Sequence, residues 1–97
     1  MNIDITPNSD NGIPRVAVGS FFNCTATGEP EPEFFWTDVS DNSTYINGSS
    51  LEVTFDMTGG RNEYMCTAFN YVNETYYDIN KTVIFDACKD LYFCYTF

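Results

Sequence analysis

Four cysteines, Cys24, Cys66, Cys88 and Cys94, have the widest chemical scope of any residues in this 97-residue chain. Thiols can ligate metals, act as nucleophiles or pair as disulfides. None of the four stands in a C-x-x-C spacing, and the chain has no histidine. Without His, the common zinc ligand sets, the triads and most acid–base schemes each lack a member. Disulfides fit the cysteines better than metal ligation, and they place the chain in an oxidising, extracellular setting, on a cell surface or secreted.

Carboxylates are the next candidates. Fourteen acidic residues stand against four basic ones, a net charge of −10. Glu29, Glu31 and Glu33 lie on a turn stiffened by Pro30 and Pro32, where nothing would raise one carboxyl's pKa or set an acid opposite a base. No D-x-D-x-D-G calcium loop is present. The expectation is therefore no catalysis, no metal and no cofactor. The charge also disfavours nucleic acid, whose phosphates need Lys and Arg, and anionic membrane surfaces. Because it is spread along the chain, it serves solubility. No apolar stretch of about 18 residues occurs, so this segment is not expected to insert into a bilayer.

A third chemistry is N-glycosylation. Five N-x-S/T sequons begin at Asn23, Asn42, Asn47, Asn73 and Asn80. One such triplet is weak; this density in a short chain points to the secretory compartment.

The elements that must carry these residues are strands. Nine Phe, seven Tyr and one Trp suit pleated surfaces, and no window keeps a helical period. Period-two alternation and turn residues mark the strands. Ile3 and Ile5 share one face of a first strand that ends at Pro7. A second segment covers Pro14–Val18. Ser20–Thr27 places Phe22, Cys24 and Ala26 inward. Glu33–Asp38 places Phe34 and Trp36 inward. Between Ser40 and Ser50 only a short strand is expected, around Tyr45-Ile46. Leu51–Met57 aligns Leu51, Val53 and Phe55 on one face. Glu63–Asn70 sends Tyr64, Cys66 and Ala68 inward, and Tyr76–Phe85 closes the series. This is the pattern of an all-β sandwich of two antiparallel sheets over residues 1–87, with a tail over 88–97 that holds two further Cys.

Cys24, Trp36, Tyr64 and Cys66 all fall on inward faces, with Trp36 twelve positions after Cys24 and Tyr64 two before Cys66. The run Cys24-Thr25-Ala26-Thr27-Gly28-Glu29-Pro30-Glu31-Pro32, leading to Trp36, resembles the C-x-A-x-G-x-P-x-P…W run of I-type immunoglobulin domains. Tyr64-Met65-Cys66-Thr67-Ala68-Phe69-Asn70 resembles their Y-x-C-x-A-x-N run. The resemblance to the immunoglobulin superfamily spans roughly residues 13 to 86. It implies an inter-sheet disulfide between Cys24 and Cys66 covered by Trp36, and a tyrosine corner at Tyr64. It further implies sheets ABE and GFC, a short C′ strand, and a D strand that is short or missing. In the chain-entropy model such a disulfide contributes about 3–4 kcal/mol. The family's D-x-G before the Tyr is replaced here by Gly60 and Asn62, and Asn62 is expected to turn that corner in a left-handed conformation.

Cys88 and Cys94 lie beyond the resemblance. A local loop between them, pairing with another chain or domain, and free thiols all remain open.

Period two sends Phe35 on strand C (Glu33–Asp38) and Met65, Thr67 and Phe69 on strand F (Glu63–Asn70) outward on the GFC sheet, and Tyr45 can join them from the C′ edge. Outward positions of a sandwich are usually polar, so this apolar set is the candidate binding face. The Pro30–Pro32 turn and the F–G turn (Tyr71 to Glu74), at one end of the sandwich, form a rival site. The expected function is an extracellular recognition or adhesion module of a multidomain receptor, of immune type among the options. Its partner would be a protein, either another immunoglobulin-type domain or a second copy of itself. The alternatives are a structural spacer in an ectodomain and a soluble defence binder.

Overall fold

The computed structural model describes residues 2–90 together with Tyr92 and Cys94. Among them eight strands form two sheets: β1 (Ile3–Thr6), β2 (Arg15–Ala17), β3 (Phe21–Ala26), β4 (Glu33–Asp38), β5 (Asp41–Asn47), β6 (Ser50–Glu52), β7 (Arg61–Val72) and β8 (Thr75–Cys88). One sheet has the order β1-β3-β6 and the other the order β2-β8-β7-β4-β5.

The two inner faces supply one core. Ile5, Phe22, Cys24 and Leu51 come from the three-stranded sheet and Val53 from just beyond it. Trp36, Tyr64, Cys66, Val83 and Phe85 come from the five-stranded sheet. β1, β3 and β6 alternate buried or half-buried with exposed residues because one face of their sheet meets the other sheet and one meets water. On β4 and β7, by contrast, the outward Phe35, Thr37, Met65 and Phe69 are half-buried and Thr67 is buried. The Phe22 and Phe85 rings meet across the gap at 4.7 Å between centroids. Cys24 and Cys66 are disulfide-bonded, with Cα atoms 6.6 Å apart, so the bond ties the two sheets together. Trp36 is fully buried within this cluster. An all-β sandwich with a disulfide between its sheets is compatible with an immunoglobulin-like domain.

The structure departs from the expected arrangement at five places. The sheets are not wholly antiparallel, since β2 pairs with β8 in parallel, Arg15 opposite Asp86 and Ala17 opposite Cys88. Pro7 lacks the N–H that would extend β1. The chain therefore leaves the first sheet and rejoins the second while still running in the same direction.

The strand after β4 is not short. β5 runs for seven residues, with Trp36 opposite Ile46 and Thr37 opposite Tyr45. It is an edge strand in which only Thr44 and Ile46 are half-buried, Ile46 against the core, so its apolar signal is short, and its Asp, Asn and Ser residues resemble a loop. No strand lies between β5 and β6 among the described residues.

Leu51 and Val53 are buried, but Phe55 is 62% exposed. A 3-10 turn, Phe55–Met57, replaces the end of the expected strand and brings Met57 inward instead. Asn62 does not take a left-handed conformation; it lies in β7 and closes the corner with its side chain, Nδ2 donating to the Met57 carbonyl at 2.9 Å. Gly59, at φ +87°, makes the turn itself.

The fifth departure is length. β7 and β8 pair from Arg61 opposite Asp86 to Val72 opposite Thr75, whereas β4 ends its pairing with β7 at Phe69. The hairpin thus overhangs the sandwich at one end, and the molecule measures 52 × 27 × 18 Å. At the opposite end Cys88 is bonded to Cys94, and Arg15 Nη1 donates to the Cys94 carbonyl at 3.2 Å. Half of the tail expected over residues 88–97 lies outside the described residues, and Cys88 itself ends β8.

Candidate functional site

The outer face of the five-stranded sheet can be read row by row from its register. One row crosses four strands as Asn47, Phe35, Thr67 and Asn80. The row toward the base is Tyr45, Thr37, Met65 and Thr82. The row toward the hairpin tip is Glu33, Phe69 and Asp78, and beyond it Tyr71 faces Tyr76.

Aromatic rings connect these rows diagonally. Tyr45 stacks on Phe35 with centroids 4.8 Å apart. Phe35 meets Phe69 at 5.8 Å, Phe69 meets Tyr76 at 5.9 Å, and Tyr76 meets Tyr71 edge-on at 5.3 Å. All four separations lie in the range of favourable ring pairs. The result is a continuous five-ring ladder from the β5 edge to the overhanging tip. Its two ends are the most exposed, Tyr45 at 56% and Tyr71 at 58%.

Of the five positions expected on this face, Phe35, Tyr45 and Phe69 are rungs, and Met65 is half-buried beside them. Thr67 is different. It shares the outer face yet is only 3% exposed, because Phe35 flanks it on β4 and the diagonal rings close over it. It is the floor of the surface rather than a contact point. Tyr76 and Tyr71 complete the ladder, though period two alone did not attach them to it. The signal lay in the two-residue turn Asn73-Glu74. Both residues have positive φ, 51° and 67°, the mark of a type I′ hairpin. That turn makes residue 71 the partner of residue 76.

Charge is unevenly spread over the face. Glu33 and Asp78 flank Phe69 in one row, while the Tyr45–Thr37–Met65–Thr82 row has no ionisable group except the Tyr45 phenol. The Tyr76 phenol is pushed above its ordinary value, first by partial loss of water and next by the Asp78 carboxylate. The cations lie elsewhere. Lys81 bridges to Asp4 at 3.3 Å and to Asp10 at 3.7 Å. Arg15, Arg61 and Lys89 gather around Asp86 in a cleft of about 640 Å³ at the base. Arg61 pairs there with Asp86, and the Cys94 carbonyl binds Arg15, so this cleft belongs to the packing of the C-terminal segment.

The rival site at the tip is also formed. A cleft of about 430 Å³ lies between the Gly28-Glu29 turn and the inner side of the overhang, lined by Asn70, Val72, Tyr77 and Ile79 among others. Asn70 is buried, and its Nδ2 donates to the Pro30 carbonyl at 2.8 Å, which pins the β3–β4 turn to the hairpin.

No family model matches the chain, and neither a curated protein nor a solved structure matches it. The reading of the surface therefore rests on its own geometry. Among the described residues no group of three or more His, Cys, Asp or Glu is placed to hold a metal ion, and no helix is long and apolar enough to cross a membrane.

The sequon asparagines occupy distinct places. Asn23 is on the outer face of the three-stranded sheet, where its Oδ1 accepts from Ser50 Oγ at 2.9 Å. Asn42 is on the β5 edge, and Asn73 is the first turn residue of the hairpin. Asn47 and Asn80 stand in the Phe35 row, on the ladder's own face.

Proposed function

We propose that this chain is an immunoglobulin-type recognition module of a multidomain cell-surface or secreted receptor, and that it binds a protein through the ladder face. One observation carries the reading: five aromatic rings in continuous contact on the outer face of a sheet that faces water. A solvated sheet face is ordinarily polar, and a contiguous apolar patch marks an interaction surface. Aromatic residues are the usual anchors of such surfaces, since they bury much area at little rotamer cost. The described part of the C-terminal tail does not cover the ladder, because Cys94 is held at Arg15, at the other end of β8. Glu33 and Asp78 beside Phe69, on a chain of net charge −10, favour a partner that presents Lys or Arg. The same charge disfavours a second copy of this chain.

The test is a binding screen with the secreted domain displayed as a tetramer against a panel of recombinant ectodomains. Phe69→Ser with Tyr76→Ser should weaken every specific interaction found by tenfold or more, while Asp4→Asn on the other sheet should leave it unchanged. Binding that survives loss of both rings would refute the assignment to this face. Binding lost through Gly28, Glu29 or Tyr77 would move the site to the tip cleft.

A further inference from the structure

The ladder face divides into two halves of different chemistry. Toward the tip, Phe69 is flanked by Glu33 and Asp78. Toward the base, the rows of Phe35 and Met65 contain no carboxylate and no cation. The first of these rows ends on both sides in a sequon asparagine, Asn47 on β5 and Asn80 on β8. Both asparagines are exposed. Strands lie about 4.8 Å apart, and directly opposed Cβ atoms about 5 Å apart, so a sugar on Asn47 begins beside Phe35. A sugar on Asn80 begins beside Thr67, two strands from the same ring. Thr82, the hydroxyl residue of the second sequon, shares the face with Asn80 because two residues separate them along the strand.

We propose that Asn47 and Asn80 carry N-linked glycans whose inner N-acetylglucosamine units lie across the Phe35 half of the ladder. The Phe69–Tyr76–Tyr71 half is then left open to the partner. In the modification, the Asn amide nitrogen bonds to C1 of a lipid-linked glycosyl diphosphate. The C1–O bond to the diphosphate breaks, and the amide gives up one proton. The chemistry of the two surfaces agrees. A pyranose presents a flat face of C–H bonds and carries no charge, and the electron-rich face of a phenyl ring takes such C–H groups well. Phe35, stacked on Tyr45 and tilted against Phe69, holds the exposed Tyr45 ring in place. Tyr45, two residues from Asn47 on β5, offers the open aromatic face, with Thr67 and Met65 as uncharged surroundings. The acidic half suits a cationic protein surface, and its one sequon, Asn73, lies in the hairpin turn beyond the Tyr71–Tyr76 pair and not in a row of the face.

The experiment uses the full chain secreted from eukaryotic cells, with occupancy read at each asparagine by peptide mass mapping. Both sites should be occupied. Asn47→Gln with Asn80→Gln should lower the melting temperature by about 4–8 °C, the shift expected when one contact of ordinary size is lost from a domain of this length. In a Phe35→Ser background the same pair should lower it no further. In unglycosylated bacterial material the pair should have no effect in either background. Vacant sites would overturn the proposal. So would occupied sites whose removal leaves melting unchanged, or a melting loss that persists without Phe35. Each of these outcomes is independent of whether Phe69→Ser with Tyr76→Ser abolishes partner binding, so the glycan assignment and the recognition assignment fail separately.

Discussion

The two sheets face water on opposite sides of one core, and their outer surfaces are unlike. On the three-stranded sheet the outward residues are Asp4 and Thr6 on β1, Phe21, Asn23 and Thr25 on β3, and Ser50 and Glu52 on β6. Only Phe21 is aromatic, and among the described residues no ring pair includes it. On the five-stranded sheet the rings touch one another from edge to tip. A lone exposed Phe is ordinary on a protein surface, whereas a connected set is not. The contrast separates what the fold needs from what it presents. Both sheets supply their inner rows to the core, but only one has been given an apolar outer row.

The largest effect should come from uncoupling the sheets. Cys24→Ala with Cys66→Ala should cost about 2–5 kcal/mol in denaturant melts, enough to unfold a domain of this size at body temperature. Cys88→Ala with Cys94→Ala closes a far shorter loop and should cost about 1–2 kcal/mol less. Equal losses from the two pairs would show that the C-terminal bond holds the fold as much as the inter-sheet bond does.

Much of this contrast could be read before the structure, and the reasons are physical. β3, β4 and β7 are legible because each has one buried face, so Phe22, Cys24, Trp36, Tyr64 and Cys66 stand out by alternation. The outward placement of Phe35 and Phe69 follows from the same period. β5 is longer than its sequence suggests because, of its seven residues, only Ile46 packs on the core, so the edge strand carries little such signal. The parallel pairing of β2 with β8 is a matter of chain direction, which no local pattern records. Phe55 was misplaced because a 3-10 turn changes the period within three residues. The ladder's upper rungs depend on the register of a long hairpin, and that register is set only by the two residues of its turn.

The second comparison sets the two faces side by side. Phe35→Ser breaks contacts with Tyr45 and Phe69 and should cost about 1–3 kcal/mol, two ring pairs at roughly 0.5–1.5 kcal/mol each. Phe21→Ser on the other face should stay within about 0.5 kcal/mol. Urea melts of unglycosylated protein give both values directly. If the two substitutions prove equal, the rings do not act as a connected set and the contrast between the faces loses its energetic basis.

A pH titration sharpens the comparison between inner and outer tyrosines. Tyr64 is buried against Phe85, with centroids 6.0 Å apart. Burial, and then the charges of Asp38 and Asp56, push its phenol above the ordinary value. The folded state therefore keeps a proton that the unfolded chain releases near pH 10. Stability should be level below that point and should fall as pH rises through the folded value. Tyr64→Phe should remove this alkaline slope. A slope unchanged in the variant would assign it to other groups, with Tyr76 the next candidate.

The smallest expected effect lies at the hairpin tip, where the ladder ends. Asn73 and Glu74 both adopt positive φ, and of the two only Asn is suited to it. Glu74 has a Cβ that crowds its own carbonyl in this conformation, and a type I′ turn ordinarily places Gly there. Glu74→Gly should therefore stabilise the domain by about 0.4–1 kcal/mol, because relief of the native strain exceeds the entropy that Gly adds to the unfolded chain. It leaves the sequon intact, since the middle position accepts any residue except Pro. Tyr71 and Tyr76 should keep their pairing, because the turn keeps its length and type. Hydrogen exchange at Val72 and Thr75 should slow in step with the gain. A variant that is less stable, or whose exchange quickens, would mean that the Glu74 side chain holds the tip in a way the turn geometry does not show. The upper rungs would then depend on that contact and not on the register of β7 and β8.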